Sequence, residues 1–169
     1  METKVAINGF GRIGRLLYRA ALETGTEIDF AVVNDLTDAK TLAHLLKHDT
    51  VHGPLPFDTE AKGDIIVIKK NGVVKQKLKV LAQPDPAKLP WSEMGVYLAV
   101  ESTGRFRKKD DASKHLQAGA KKVLVSAPMS PAPSADLTVV YGVNDDKYDP
   151  KKHHIVSLAS CTTNCVSPV

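Results

Sequence analysis

The stretch Lys4-Val5-Ala6-Ile7-Asn8-Gly9-Phe10-Gly11-Arg12-Ile13-Gly14-Arg15 decides the fold. It begins as an apolar run of strand length, passes through glycines and continues with the periodicity of a helix. Strand, glycine turn and helix in that order make a phosphate-cradling unit. Gly9, Gly11 and Gly14 have the spacing G-x-G-x-x-G. The first glycine makes the tight turn, the second lets backbone approach a pyrophosphate, and the third lets the helix pack closely on the strand. Free N–H groups and the positive dipole end at the helix start favour an anion. By itself the spacing also fits a plain strand-to-helix turn, so the neighbouring sequence decides. A second apolar strand over residues 28–33 runs into Asn34-Asp35. Asp35 stands about 20 residues beyond the glycines, where a carboxylate accepts from ribose hydroxyls. The pattern predicts a dinucleotide site. A negative side chain at the ribose repels the 2′-phosphate of NADP, and Leu36 and Thr37 offer it no cation, so NAD is the expected cofactor. Lys40 is close enough in sequence to leave NADP an alternative.

Outward from that unit the chain alternates strand and helix, the signature of a parallel sheet covered on both faces. Residues 13–22 read as a helix, with Ile13, Leu16, Leu17, Ala20 and Ala21 at helical spacing and Gly25 just past its end. Thr37 and Asp38 cap a helix over residues 40–47 whose inner face carries Leu42, Leu45 and Leu46. Residues 64–70 and 73–81 are strands joined by Asn71-Gly72, a strong hairpin signal. A proline-containing loop with one helical turn spans residues 83–91. Strands follow at 96–101, 122–126, 137–143 and 155–159, with a helix over 108–118 and a loop over 128–133. The expected fold is α/β: a doubly wound, Rossmann-type parallel sheet with an antiparallel hairpin insert. In such sheets ligands sit beyond the carboxyl ends of the strands. The expected strand ends carry Asn34-Asp35, Ser102-Thr103-Gly104, Ser126-Ala127-Pro128, Asn144 and Ser160-Cys161-Thr162-Thr163-Asn164. Each alone is an ordinary turn or cap; together they predict one cleft along one edge.

Composition bounds the function. The 169 residues suit one domain, or one domain and the start of another. A hydrophobic fraction of 43% with 25% charged residues excludes disordered and fibrous classes. The net charge is +4, but its densest clusters, Arg105-Phe106-Arg107-Lys108-Lys109 and Lys151-Lys152-His153-His154, are short. Asp110-Asp111 follows the first at once, so a solvated face explains them better than a nucleic-acid track. Met1-Glu2-Thr3 leaves no room for a signal peptide, and no apolar run reaches bilayer-spanning length. The expected location is the cytoplasm, with no membrane partner.

Cys161 and Cys165 stand four residues apart. A disulfide between them would be strained on a helix, and a metal site needs more ligands than two. That leaves a reactive thiol or plain packing. Cys161 follows a strand and precedes a polar run able to open a helix, where unpaired N–H groups and the dipole stabilise a thiolate. By position alone the two readings are even.

The motifs Asn8-Gly9-Phe10-Gly11-Arg12-Ile13-Gly14-Arg15, Asn34-Asp35-Leu36-Thr37-Asp38, Leu42-Ala43-His44-Leu45-Leu46-Lys47, Glu101-Ser102-Thr103-Gly104-Arg105-Phe106, Ser126-Ala127-Pro128, Gly142-Val143-Asn144 and Ala159-Ser160-Cys161-Thr162-Thr163-Asn164-Cys165 together carry a resemblance. From Lys4 to Val169 the chain resembles the N-terminal half of the phosphorylating glyceraldehyde-3-phosphate dehydrogenases. The resemblance implies that Cys161 is the nucleophile. In that family the thiolate attacks the aldehyde of glyceraldehyde 3-phosphate, and the oxyanion is held by the Cys161 N–H and a histidine. Hydride leaves to NAD, and inorganic phosphate releases an acyl phosphate from the thioester. It further implies phosphate binding near the thiol by Ser160 and Thr162, and pyrophosphate contacts from Arg12 and Ile13 beside Gly9, Gly11 and Gly14. Asp35 takes the adenine-side ribose, and Ser102, Thr103 and Ser126 lie around the cofactor.

The resemblance also divides the chain into a dinucleotide-binding domain, residues 1–159, and the start of a catalytic domain, residues 160–169. The family places its general-base histidine, its substrate-phosphate arginine and a nicotinamide-orienting asparagine beyond the matched segment, and full-length members are homotetramers. None of the six histidines occupies the base position. Gln83-Pro84 stands where many members carry Glu-Arg before Asp-Pro. The 169 residues alone are therefore expected to bind NAD weakly with negligible turnover, and Val166 and Val169 to face solvent. Two alternatives stay open: the related erythrose-4-phosphate dehydrogenases, and a non-catalytic nucleotide-binding module able to take RNA on its basic face.

Overall fold

The computed structural model describes residues 3–169. Strand β1, Lys4–Asn8, buries all but its first residue and leads through the glycine turn into helix α1, Arg12–Thr24. Strand β2, Asp29–Asn34, pairs parallel to β1 with Asn8 opposite Asn34. Helix α2, Ala39–Lys47, starts at Asp38, whose side chain accepts from the Thr41 N–H at 3.0 Å. Strands β3 (Asp58–Lys62), β4 (Ile65–Lys70) and β5 (Val73–Leu81) follow, then helix α3 (Trp91–Met94) and β6 (Leu98–Glu101). The chain continues through α4 (Lys109–Gln117), β7 (Lys122–Val125), β8 (Leu137–Thr138), β9 (Ile155–Ser157) and α5 (Cys161–Val166). All strands join one sheet, ordered β3-β4-β5-β2-β1-β6-β7-β9-β8. From β5 to β8 the neighbours are parallel, whereas β3, β4 and β5 pair antiparallel in turn. The expected Rossmann-type sheet with an antiparallel insert is therefore present.

The chain runs outward from β1 to β2 and β5, then returns to lay β6, β7 and β9 on the other side. The crevice between β1 and β6 is the topological switch point, where open sheets of this kind take ligands. Core packing is two-sided because successive strand residues point to opposite faces. Val5, Ile7, Val33 and Val100 pack with Tyr18, Leu42 and Leu46 from α1 and α2. Ala6, Val32 and Ala99 pack with Trp91 and Val96, and Val123 and Val125 pack with Ala112 of α4.

Three local expectations need correction, and one strand lies outside them. The buried face of α1 is Gly14, Tyr18 and Arg19, while Ile13 is 53% exposed and Leu17 37%. Gly14 must lie against β1, and that requirement rotates the helix so that Tyr18, one turn on, meets Phe10 and Phe30 edge-on. In α2 the buried set is Ala39, Leu42, Ala43 and Leu46, with Leu45 only half-buried. The expected strand over 137–143 stops at Thr138, because the Asn144 side chain takes the Thr138 carbonyl and the Val140 N–H that a continuing ladder would use. Strand β3 was not expected: its alternating exposed residues, Asp58, Glu60 and Lys62, lack the apolar signature.

Candidate functional site

The glycine turn is built as its spacing predicts. Gly9 has φ +90°, and a Cβ there would lie 2.6 Å from the Thr103 nitrogen, so only glycine passes beneath the end of β6. A Cβ on Gly14 would stand 2.4 Å from the Gly9 carbonyl oxygen and 2.9 Å from Ile7 Cγ2, which fixes how closely α1 sits on β1. Gly11 differs. A Cβ there meets nothing within 4 Å, and the residue is the uncapped N-cap of a helix with no acidic residue in its first turn. Open space beside free helix N–H groups fits a diphosphate.

Around this turn a cleft of about 280 Å³ is lined by Asn8, Gly9, Gly11, Asn34, Asp35, Gln83, Ser102, Thr103 and Arg105, among others. Asp35 forms its wall from the end of β2. Its carboxylate accepts from the Phe10 N–H at 2.9 Å and the Thr37 N–H at 3.1 Å, so it clamps the glycine turn and keeps lone pairs for further donors. Ser102 donates to the Gly9 carbonyl at 2.6 Å, tying β6 to the same turn. Arg12 and Ile13 project outward from the helix start, both exposed. A larger hollow of about 720 Å³ opens between α1 and the β4–β5 hairpin, walled by Tyr18, Glu27, Asp29, Lys70 and Lys75. It presents both signs of charge and no glycine turn, so the smaller cleft is the better candidate.

The remaining expected site residues are not in that cleft. Ser126, whose N–H donates to the Glu101 carbonyl at 3.0 Å, lies one strand beyond β6, and Cys161 lies past β9. Asn144 is spent on its own loop. The expected single cleft thus covers β5 to β6, and the other polar ends continue along the same sheet edge. From β1 to β9 is three strand spacings, roughly 14 Å, a span for an extended two-nucleotide ligand.

Cys161 opens α5 and is exposed, as are Thr162 and the rest of that helix. The Ser160 hydroxyl caps the helix, accepting from the Thr163 N–H at 3.0 Å. Asn164 reaches back to the Leu158 and Ser160 carbonyls at 2.7 and 2.9 Å. Between them Ala159 holds φ +60°, an uncommon conformation for a residue with a side chain. The strained corner turns the chain sharply, so the thiol stands at the carboxyl edge of the sheet.

Sequence reasoning missed the layer beneath the cleft. Asn34, Asn8 and Glu101 occupy one rung of the sheet and are 4%, 2% and 1% exposed. Asn34 Nδ2 donates to Asn8 Oδ1 at 2.7 Å, and Asn8 Nδ2 donates to Glu101 Oε2 at 2.6 Å. His115, from the buried face of α4, meets the same oxygen at 2.9 Å, and the Trp91 indole N–H donates to His115 Nδ1 at 3.0 Å. The one signal available was that three predicted strands each end in a residue too polar for a core.

Switch-point crevice, glycine turn, uncapped helix start and the Asp35 carboxylate at the end of β2 define a dinucleotide-binding α/β domain. Comparison with known proteins narrows the class. Residues 3–109 match the family described as glyceraldehyde 3-phosphate dehydrogenase, NAD binding domain, and the chain belongs to that family. It is similar to the glyceraldehyde-3-phosphate dehydrogenase of Geobacillus stearothermophilus, 55% identical over 168 residues, covering 99% of this chain and 48% of that protein. A Bacillus cereus relative is 57% identical over 98% of this chain and 47% of its own length. The chain spans about half the length of the curated relatives it matches. Among the described residues no helix is long and apolar enough to cross a membrane.

Proposed function

We propose that this chain holds NAD for a phosphorylating glyceraldehyde-3-phosphate dehydrogenase and supplies its nucleophile from Cys161. The observation that carries the reading is Gly11: its open flank, beside the uncapped start of α1, leaves room for a pyrophosphate within a cleft walled by Asp35. Backbone N–H groups at Arg12 and Ile13 hold the diphosphate, and Asp35 accepts from the adenine-side ribose. NAD supplies the hydride acceptor when bound. The Cys161 thiolate adds to the aldehyde carbon of glyceraldehyde 3-phosphate, and its own N–H faces the developing oxyanion. Ser160 and Thr162 present hydroxyls for the phosphate that later attacks the thioester.

Residues 160–169 belong, in this reading, to the catalytic domain rather than to the cofactor domain. A proton acceptor for the thiol is needed from outside these residues. His44, His48 and His52 lie in and after α2, His115 is buried under β6, and His153 and His154 precede β9 at the opposite end of the strand from Cys161. General-base assistance is worth about 10²–10⁴-fold, so the 169 residues alone bind NAD and turn over negligibly. Calorimetric titration tests the first part, with saturable binding of NAD preferred over NADP as the expected result and no binding of either as the refutation. Steady NADH production by these residues alone, with aldehyde and phosphate, would overturn the second.

A further inference from the structure

We propose that Glu101, His115 and Trp91 are positioning residues: a buried hydrogen-bond chain with a single permitted direction fixes the cleft residues Asn8, Thr103 and Gln83 for cofactor binding. The inference rests on the NAD reading of the cleft. Its ends are pinned by groups that cannot reverse. At one end the Trp91 indole is a donor only, so His115 Nδ1 must be the acceptor, and the imidazole carries its proton on Nε2 and is neutral. That proton points at Glu101 Oε2. At the other end the backbone of Gln83 sets the orientation of the Asn34 amide, since the Gln83 N–H donates to Asn34 Oδ1 at 2.8 Å and the Gln83 carbonyl accepts from Asn34 Nδ2 at 2.8 Å. Asn34 in turn orients Asn8, whose NH₂ also points at Glu101 Oε2.

Donation therefore converges on Glu101 from both sides. Its second oxygen takes the Thr103 N–H at 2.8 Å and the Thr103 hydroxyl. Four donors on two oxygens, at 1% exposure, require a group that only accepts, and the carboxylate form of glutamate is that group. Flipping any one amide would set donor against donor somewhere along the chain, so the network has one arrangement. Asn8, Asn34, Gln83 and Thr103 line the cleft, whereas His115 and Trp91 lie wholly beneath it. The remote pair thus holds the Glu101 carboxylate, on which the cleft residues Asn8 and Thr103 converge, while the Gln83 backbone fixes the opposite end of the same chain.

The test is a pair of substitutions at His115. His115→Phe keeps an aromatic ring beside Trp91 but removes the donor to Glu101 and the acceptor of the Trp91 N–H; His115→Gln loses the ring but keeps an N–H₂ group able to reach the carboxylate. If the network positions the cleft, NAD affinity of the chain falls about tenfold in the Phe variant and stays within about threefold in the Gln variant. If His115 merely fills space, the order reverses, because Phe is the better filler; that order, or wild-type affinity in the Phe variant, overturns the proposal. Nitrogen NMR of the unaltered chain supplies a readout independent of folding in the variants. A proton on Nε2 alone is expected, and a proton on Nδ1 refutes the directional chain. Should the unaltered chain bind no NAD, the functional reading fails separately. The network is then judged by that tautomer and by the amide resonances of Gly9, Thr103 and Gln83, which shift in the Phe variant and hold in the Gln variant if it is correct, and do not if it is not.

Discussion

At the scale of single residues, Gly11 and Gly14 separate binding from stability within one motif. A methyl group on Gly14 would collide with the Gly9 carbonyl and Ile7, so Gly14→Ala should push α1 off β1. Overpacking of this kind costs about 1–3 kcal/mol, and NAD affinity should fall with it. A methyl on Gly11 enters open space at φ −71°, so Gly11→Ala should keep stability within about 1 kcal/mol of the parent while weakening NAD, because the methyl occupies the diphosphate's approach. Thermal unfolding and NAD titration of the two variants check the split; equal losses in both would show that the glycines act only through packing. Asp49 carries a pH-dependent contribution. Donation by the backbone N–H groups of His52 and Val51, at 2.8 and 2.9 Å, lowers its carboxyl to about 2 from the ordinary 3.8. A carboxyl lowered on folding contributes stability above its unfolded value and loses it as pH falls through the folded one. Asp49→Asn keeps an acceptor oxygen but forfeits the charge. The parent should therefore exceed the variant in urea resistance at neutral pH, and the gap should close between about pH 4 and pH 2. A gap that widens in acid would contradict the assignment.

At the scale of elements, legibility followed whether a local rule determined the outcome. The β4–β5 hairpin was readable because Asn71 and Gly72 adopt φ +52° and +77°, the conformation their two-residue turn requires. Gly72→Ala should cost about 1–2 kcal/mol by placing a side chain in the left-handed region, and Asn71→Ala less, measured as urea midpoints. A neutral Gly72→Ala would mean that the turn relaxes to another type. The length of α1 was readable from its periodicity but its buried face was not, since a glycine contact invisible to a hydrophobicity pattern turns Ile13 and Leu17 outward and Arg19 inward. Arg19 is accommodated there by the Gly53 and Leu46 carbonyls, at 2.8 and 3.4 Å, partners more than 25 residues away that no local reading supplies. Strand β3 was hidden for a related reason: an edge strand needs only one apolar side, and its exposed charges protect the free edge from further pairing.

At the scale of the whole molecule, the turn, Asp35 and the polar strand ends were legible, whereas their alignment was not. Register places Leu81, Asn34, Asn8, Glu101, Val125 and Ser157 on one rung across six strands, and no single strand's sequence records its neighbours' offset. That rung joins the cleft wall to the core on both sides of the switch point, so a ligand engaging the wall stabilises the sheet as a unit. A ligand that binds only the folded state at one hundred times its dissociation constant stabilises by about 2.7 kcal/mol. For a chain of this length that corresponds to a rise in Tm of about 5–10 °C. NAD should produce it, with slowed amide exchange at the start of α1 and the end of β6, while the antiparallel β3–β4 edge gains no protection beyond the global shift. NADP at the same concentration should raise Tm less, because its 2′-phosphate meets the Asp35 carboxylate between the exposed Leu36 and a Thr37 that is committed to that carboxylate. Equal rises would mean that Arg105, on the cleft's rim, offsets Asp35 and that the chain does not discriminate between the two dinucleotides.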